Sequence, residues 1–387
     1  MSSRRSVALL IETSNGYCRG LLEGIIAYTK ERADWSVYLS EQERGAPPPT
    51  WLESWTGHGV IARVETQKIG DRLKQFGLPI VDLSANRHLP DVPWAETDDL
   101  SIAELAIEHF QERGFTEIAY CGDPGFAWST LRCEQLKRLS LEKGLMFYEH
   151  QSIPRYDPGF SWDFEKQRLA DWLKELPRPV AIMACYDFKA QQVADVCRQL
   201  KIVVPEEVAV LGVDNDRLIC ELAEPPLSSV IPDTKRTGFE AAELLDSMMA
   251  GHTVTGQRRL VTKALGVHVR ESTDVWAVRD QDVAAALRYI RKHATANIRV
   301  SDVLRHVHLS RRVLESRFQK SLGRTPHEEI QRVRTNRVKS LLLDTDFSIS
   351  QIARHAGFEH GEYMAAAFKR ETGVTPTAFR LANQGSH

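Results

Sequence analysis

The sequence predicts a doubly wound α/β protein with parallel sheets, followed by an all-α domain of two helix-turn-helix units. Three observations predict it. Short β-branched runs alternate with amphipathic stretches through the first 275 residues, the charge balance reverses near the end of that region, and Phe318–Pro326 (FQKSLGRTP) recurs 50 residues later as Phe368–Pro376 (FKRETGVTP). The chain has 387 residues, enough for two or three cores of roughly 100–200 residues each. With 42% apolar and 26% charged residues and no apolar run near the roughly 20 residues of a membrane helix, the composition is that of a soluble globular protein. The opening MSSRRSVALLIETS is interrupted by Glu12 and reads as a first strand, not a leader. Six Cys occur without CxxC or Cys/His pairing, which argues against a zinc site or a disulfide scaffold, fits a reducing cytoplasm, and leaves no metal or cofactor to predict.

The elements follow in order. VALLIE and GLLEGIIAYTKE open a strand–helix alternation that continues with GVIARV, IGDRLKQFG, PIVDLS, LSIAELAIEHFQERG, IAYCGD and TLRCEQLKRLSLEKG. It resumes with LADWLKELP, VAIMACYD, FKAQQVADVCRQL and VAVLGVD, and ends on the helix TGFEAAELLDSMMAG. Continuously apolar strands belong to parallel sheets covered on both faces. The polar stretch ESTDVWAVRDQD then reads as a linker, dividing residues 1–275 from 276–387. From Ala277 onward 19 Lys and Arg face 11 Asp and Glu, a net of +8, whereas the preceding residues hold 31 against 41, a net of −10. A basic block behind an acidic body suggests a nucleic-acid module joined to something else.

Ligands of doubly wound proteins lie beyond the carboxyl ends of the strands. Those ends are Glu12–Tyr17, Ser84–Arg87, Thr97–Asp99, Asp123–Arg132, Tyr186 with Asp187, and Asp214–Asp216. Carboxylates and amides such as Asn15, Asp98 and Asn215 accept from hydroxyls, arginine donates to them, and an aromatic face such as Trp128 stacks on the C–H side of a pyranose. A polyol therefore fits better than an anion. The same short polar residues also serve as helix N-caps whatever the ligand. Neither GxGxxG after the first strand nor GxxxxGK[ST] occurs, which argues against dinucleotide and P-loop sites.

The stretch VAVLGVDNDRLICELAEPPLSSVIPDTKRTGFEAAELL resembles the last third of LacI-type, periplasmic-binding-protein-like sugar domains, with VHVRESTD resembling their close and STLRCEQLKR the segment carrying their ligand-binding arginine. That resemblance implies two lobes closing about a hinge, with Arg132 and Asp214 gripping a sugar and Asp187 beside them. LacI-type regulators begin with DNA-binding helices, whereas this chain goes straight into its first strand.

In the C-terminal block, VSDVLRHVHLSRRVLESRF and ISQIARHAGFEHGEYMAAAF each read as helix, tight turn, helix, at about 300–321 and 349–372, tied by the basic helix EEIQRVRTNRVKSLLLDT. Val303, Leu304, Val307, Leu314 and Phe318 share one apolar face, and Ile352, Ala353, Ala356, Tyr363, Met364 and Phe368 share the other. The second helix of such a unit enters the major groove. In the first unit it starts after Ser310 and offers Arg311, Arg312, Glu315 and Ser316; the corresponding Gly361, Glu362, Ala365 and Ala366 carry little direct readout. Lys320, Lys369 and Arg370 suit phosphates. IARHAGFEHGEYMAAAFKRETGVTPTAFR resembles the signature of AraC/XylS transcription factors, over about 280–383, with Met364, His360 and Ala366 departing from its usual residues. His306, His308, His355 and His360 lack the spacing of a metal site.

The pairing of these two domains resembles the bacterial xylose operon regulators. That resemblance implies a cytoplasmic, nucleoid-associated homodimer that binds double-stranded operator DNA, responds to a monosaccharide, D-xylose, and as an activator meets RNA polymerase. A different pentose, hexose or polyol, or a repressor, is the alternative. A carbohydrate-active enzyme is the remaining class, since paired acids in a cleft could act on a glycoside, but no nucleophile motif accompanies them.

Overall fold

A computed structural model describes residues 4–44, 46–150, 152–154, 158–252, 259–275, 280–345 and 347–384. The chain divides into two compact units, Met1–Val275 and Trp276–His387. In the first unit the strands are β1 (Arg5–Leu10), β2 (Trp35–Leu39), β3 (Gly59–Ala62), β4 (Ile80–Asp82), β5 (Trp94–Thr97), β6 (Glu117–Cys121), β7 (Met146–His150), β8 (Val180–Ala184), β9 (Val208–Val213), β10 (Ser228–Ile231), β11 (Arg259–Thr262) and β12 (Gly266–His268). Its helices are α1 (Gly16–Arg32), α2 (Gln67–Leu73), α3 (Asp99–Glu112), α4 (Ala127–Glu142), α5 (Trp162–Glu175), α6 (Asp187–Gln199), α7 (Arg217–Leu222) and α8 (Thr234–Met249).

Two six-stranded sheets result, ordered β11-β5-β4-β3-β1-β2 and β12-β10-β9-β8-β6-β7. Every pairing is parallel except β10 with β12, an antiparallel edge that the alternation of runs did not reveal. The chain passes between sheets three times, through α3, after β10, and from β11 to β12. Three strands of chain therefore join the two lobes.

β1 shows why its residues are all apolar. Val7 and Leu9 pack with Leu21, Ile25 and Leu245 on one face, while Ala8 and Leu10 pack with Leu52, Ile69 and Leu73 on the other. Helix α1 lies close against α8: a Cβ on Gly24 would stand 2.0 Å from the Lys235 carbonyl oxygen, and one on Gly238 2.1 Å from that of Leu21. Only hydrogen fits there, so the α8 segment returns to the first lobe and locks the crossover.

The second unit is helical: α9 (Gln281–His293), α10 (Val300–Val307), α11 (Arg311–Leu322), α12 (Pro326–Asp344), α13 (Ile349–His355), α14 (Gly361–Thr372) and α15 (Pro376–Gln384). Two small cores form, one around Val303, Leu314 and Phe318, the other around Ile352, Met364 and Phe368. α12 begins with Pro326 and a reciprocal capping box between Thr325 and Glu328, which satisfies two otherwise orphaned amides.

Candidate functional site

Between the lobes of the first unit lies a cavity of about 450 Å³ including its mouth, with walls drawn from both sheets. Tyr17 enters from the first turn of α1, Arg44 from the turn after β2, Arg63 from the end of β3, Leu83 and Ala85 from the end of β4, and Glu96 and Thr97 from β5. Asp99 opens α3, Trp128 and Arg132 lie in the first two turns of α4, and Asp214 follows β9. All stand at carboxyl ends of strands, where the crossovers leave a crevice.

Arg132 is 5% exposed, donates Nε–H to Asp99 Oδ1 at 2.9 Å, and donates a second bond to the Cys185 carbonyl. Burial works against its charge, yet Asp99, with Tyr120 and Asp214, holds its pKa above the usual arginine value. Its guanidinium carbon lies 5.5 Å from the Trp128 ring, whose buried indole N–H has no acceptor among the described residues. A ligand hydroxyl there would satisfy that donor.

Asp214 and Asn215 both adopt positive φ, 105° and 49°, turning the chain sharply into the cleft. Two side chains hold this turn: Asp187 accepts from the Asp216 amide at 2.7 Å and from Ser229 Oγ at 2.6 Å, and Ser229 Oγ accepts the Asn215 amide at 2.9 Å. Burial pushes the Asp214 carboxyl up to about 6 against the pull of Arg132, Arg44 and Arg63. Burial likewise pushes Glu96 to about 7, against Arg87 at 3.2 Å. Near neutral pH each can therefore donate or accept toward a hydroxyl.

Arg63 is spent on its own lobe. It donates to Cys18 Sγ at 3.0 Å, pairs with Glu65, and stands 3.6 Å from Glu12, with the Tyr17 ring 5.3 Å from its guanidinium carbon. Tyr17 OH and Thr97 Oγ1 are 3.3 Å apart on the cavity wall.

The structure thus brings together Arg132, Trp128 and Asp214 of the residues expected from the sequence, and moves four others off the wall. Asp187 is buried beneath the Asp214 turn, as described. Asn15 caps α1 by accepting the Cys18 amide at 2.9 Å, and Asp98 caps α3 by accepting the Leu100 amide at 3.1 Å, leaving the neighbouring Asp99 to face the cavity. Asn215 is held by Arg270 at 2.9 Å. For Asn15 and Asp98 the cap reading prevails, because an N-terminal amide takes the side-chain oxygen. Tyr17, Ala85, Thr97 and Asp99 lie within the segments singled out at strand ends; Arg44, Arg63, Leu83 and Glu96 carried no signal beyond their neighbourhood.

In the second unit α11 presents Arg311, Arg312, Ser316 and Lys320 to solvent, with Glu315 half-buried and paired to Arg311 at 2.8 Å. On α14, Glu362, Ala366, Lys369 and Arg370 are exposed and Gly361 and Ala365 partly so. Tyr363, expected on the apolar face, is 53% exposed; Ala367 takes the inward position with Met364 and Phe368. The 3.6-residue period explains this, since residue 363 precedes the inward row by about 100°. Neither Ser310 nor His360, at the two N-cap positions, caps with its side chain. His306 stacks on Tyr289 at 4.5 Å and His355 on Phe347 at 5.0 Å, and no metal-holding cluster occurs among the described residues. Arg380 donates to the carbonyls of Leu342, Thr345 and Phe347, fastening α15 to α12.

Comparison with known proteins matches this division. Residues 6–100 match the XylR N-terminal domain, residues 107–273 a periplasmic binding protein-like domain, and residues 303–382 a helix-turn-helix domain. The Escherichia coli K12 xylose operon regulatory protein is 32% identical over 99% of this chain and 98% of its own length, and that of Haemophilus influenzae Rd is 32% identical over 97% and 98%. A solved structure of the xylose-binding transcription activator xylR superposes with a TM-score of 0.82 at 31% identity, covering 99% of both chains. A two-lobed ligand-type domain joined to paired helix-turn-helix units defines a DNA-binding transcription regulator, not an enzyme. The chain belongs to the xylose operon regulatory protein family.

Proposed function

We propose that this regulator senses D-xylose in the cleft of its first unit and, as a homodimer, activates sugar-catabolism genes from paired operator half-sites. One observation carries the sugar reading: the cleft wall combines a fixed guanidinium (Arg132), two partly buried carboxyls (Glu96, Asp214) and an indole whose N–H has no acceptor among the described residues (Trp128). A hydroxyl can accept from the indole and exchange hydrogen bonds with the guanidinium and carboxyls, whereas a purely apolar ligand would leave the indole N–H desolvated and unpaired. Arg311, Arg312, Glu315 and Ser316 read bases, with Gly361, Glu362 and Ala365 contributing less, while Lys320, Lys369 and Arg370 meet phosphates. The relatives' names support xylose over other sugars. Binding of both modules at once raises affinity through effective concentration, without a new base contact, and places the protein where it can meet RNA polymerase in the cytoplasm. Titration of the full chain with D-xylose, D-glucose, L-arabinose and D-ribose by calorimetry and thermal shift tests the inducer. D-xylose alone should raise the melting temperature by mass action; silence from all four discards D-xylose as the inducer and keeps the DNA-binding reading.

A further inference from the structure

Among the described residues, at least three contacts cross the cleft of the first unit. Arg19 on α1 pairs with Asp216 at 2.8 Å, and Asn86, after β4, accepts the Ala127 amide at the start of α4 at 3.2 Å. The third is of a different kind. Arg44, in the turn after β2, places its guanidinium carbon 5.3, 5.2 and 4.9 Å from the ring centres of Phe126, Trp128 and Tyr186, all from the second lobe. Those rings support each other as a box: Phe126 stacks on Trp128 at 5.3 Å and 21°, and Tyr186 meets Trp128 edge-on at 5.8 Å and 80°. A guanidinium is weakly hydrated and planar, so it exchanges water for aromatic faces at less cost than an ammonium would.

The loop that carries Arg44 is braced. The Thr13 amide donates to the Gln42 carbonyl at 3.0 Å, the Ala46 amide to that of Glu43 at 3.2 Å, and Pro47, Pro48 and Pro49 each hold φ near one value. A loop already confined loses little entropy on docking. Arg44 and Trp128 also both line the cavity, so this bridge borders the space a ligand would fill.

We propose that Arg44 is an affinity-setting residue of the sugar site: docked among Phe126, Trp128 and Tyr186, it closes the lobes over the bound sugar, which leaves only when the guanidinium leaves the box. The sugar half of this statement rests on the proposed function; the lobe-bridging half does not. Since the contact exists only when the lobes meet, it favours the closed state selectively, and selective stabilisation of that state slows ligand release more than it changes capture.

Two measurements on the full chain test it. In calorimetry and stopped-flow fluorescence with D-xylose, Arg44→Gln should raise the dissociation rate and Kd about tenfold with little change in association rate, and Arg44→Lys should fall between, a size expected of a partly desolvated cation–aromatic contact. Unchanged release would overturn the proposal; tighter binding would do so too, by making Arg44 a competitor of the sugar for the rings. The second measurement needs no sugar. Spin labels at Glu31→Cys and Lys143→Cys, exposed on opposite lobes, should report longer distances when Arg44→Gln is added, and an unchanged distribution would overturn the bridge. If wild-type protein ignores D-xylose while Arg44→Gln still lengthens that distance, the inducer assignment fails and the bridge stands.

Discussion

Burial sets the acidities of Glu96 and Asp214 and makes stability depend on pH. Burial takes Glu96 from 4.5 to about 7, so the folded state keeps a proton that the unfolded chain has already lost. The stability from this group is complete below pH 4.5 and is lost as pH rises through about 7. Glu165 has the opposite sign: held at about 2 by His150 and Lys189 despite burial, it contributes above 4.5 and loses that contribution as pH falls. Glu96→Gln should therefore flatten the unfolding free energy between pH 5 and 7.5 by up to about 3 kcal/mol, read from urea melts across that range. A profile parallel to that of the wild type would show that Glu96 stays ionised. At this scale Arg132 and Asp214 were legible because each sits in a recognisable local motif. Asp99 was not distinguishable from Asp98, because which of two adjacent carboxylates caps the helix depends on where α3 begins.

Elements with one strong period were readable, and those without one were not. β2 is an edge strand with only Trp35 buried, so its sequence WSVYL offers neither an apolar run nor a clean alternation. The helix-turn-helix pairs were readable because their apolar rows repeat with the 50-residue motif, although the exposure of Tyr363 was decided by the exact phase of α14. The turn between α13 and α14 makes two demands on one residue, a positive φ and a close backbone approach. Gly357 has φ 78°, and a Cβ there would lie 2.6 Å from the Ala294 carbonyl oxygen and 2.7 Å from Thr295 Cα. Gly357→Ala should cost about 2 kcal/mol or more in the second unit, seen as an earlier unfolding transition and weaker operator binding with sugar affinity retained. Equal stability would mean that the segment at Ala294 yields freely.

Over the whole molecule, the charge reversal and the division near residue 275 separate two jobs, and substitutions should separate them as well. Arg132→Ala strands the Asp99 carboxylate in the cleft and should abolish the sugar-induced rise in melting temperature while basal DNA affinity persists. Arg311→Ala should cost about 1–3 kcal/mol at one base position and leave sugar binding alone, as read by titrating operator variants. A change that damaged both activities in a folded protein would end this division of labour. The sequence by itself determined the class of each unit, a crevice at the strand ends, and two helix-turn-helix units with exposed second helices, because periodicity, caps and repeats are written within a few residues of one another. Only the tertiary structure decided which side chains share the cavity. Its wall joins positions from Tyr17 to Asp214, and their meeting depends on three crossovers between the sheets and on the closeness of α1 to α8, distances along the chain over which no local pattern extends.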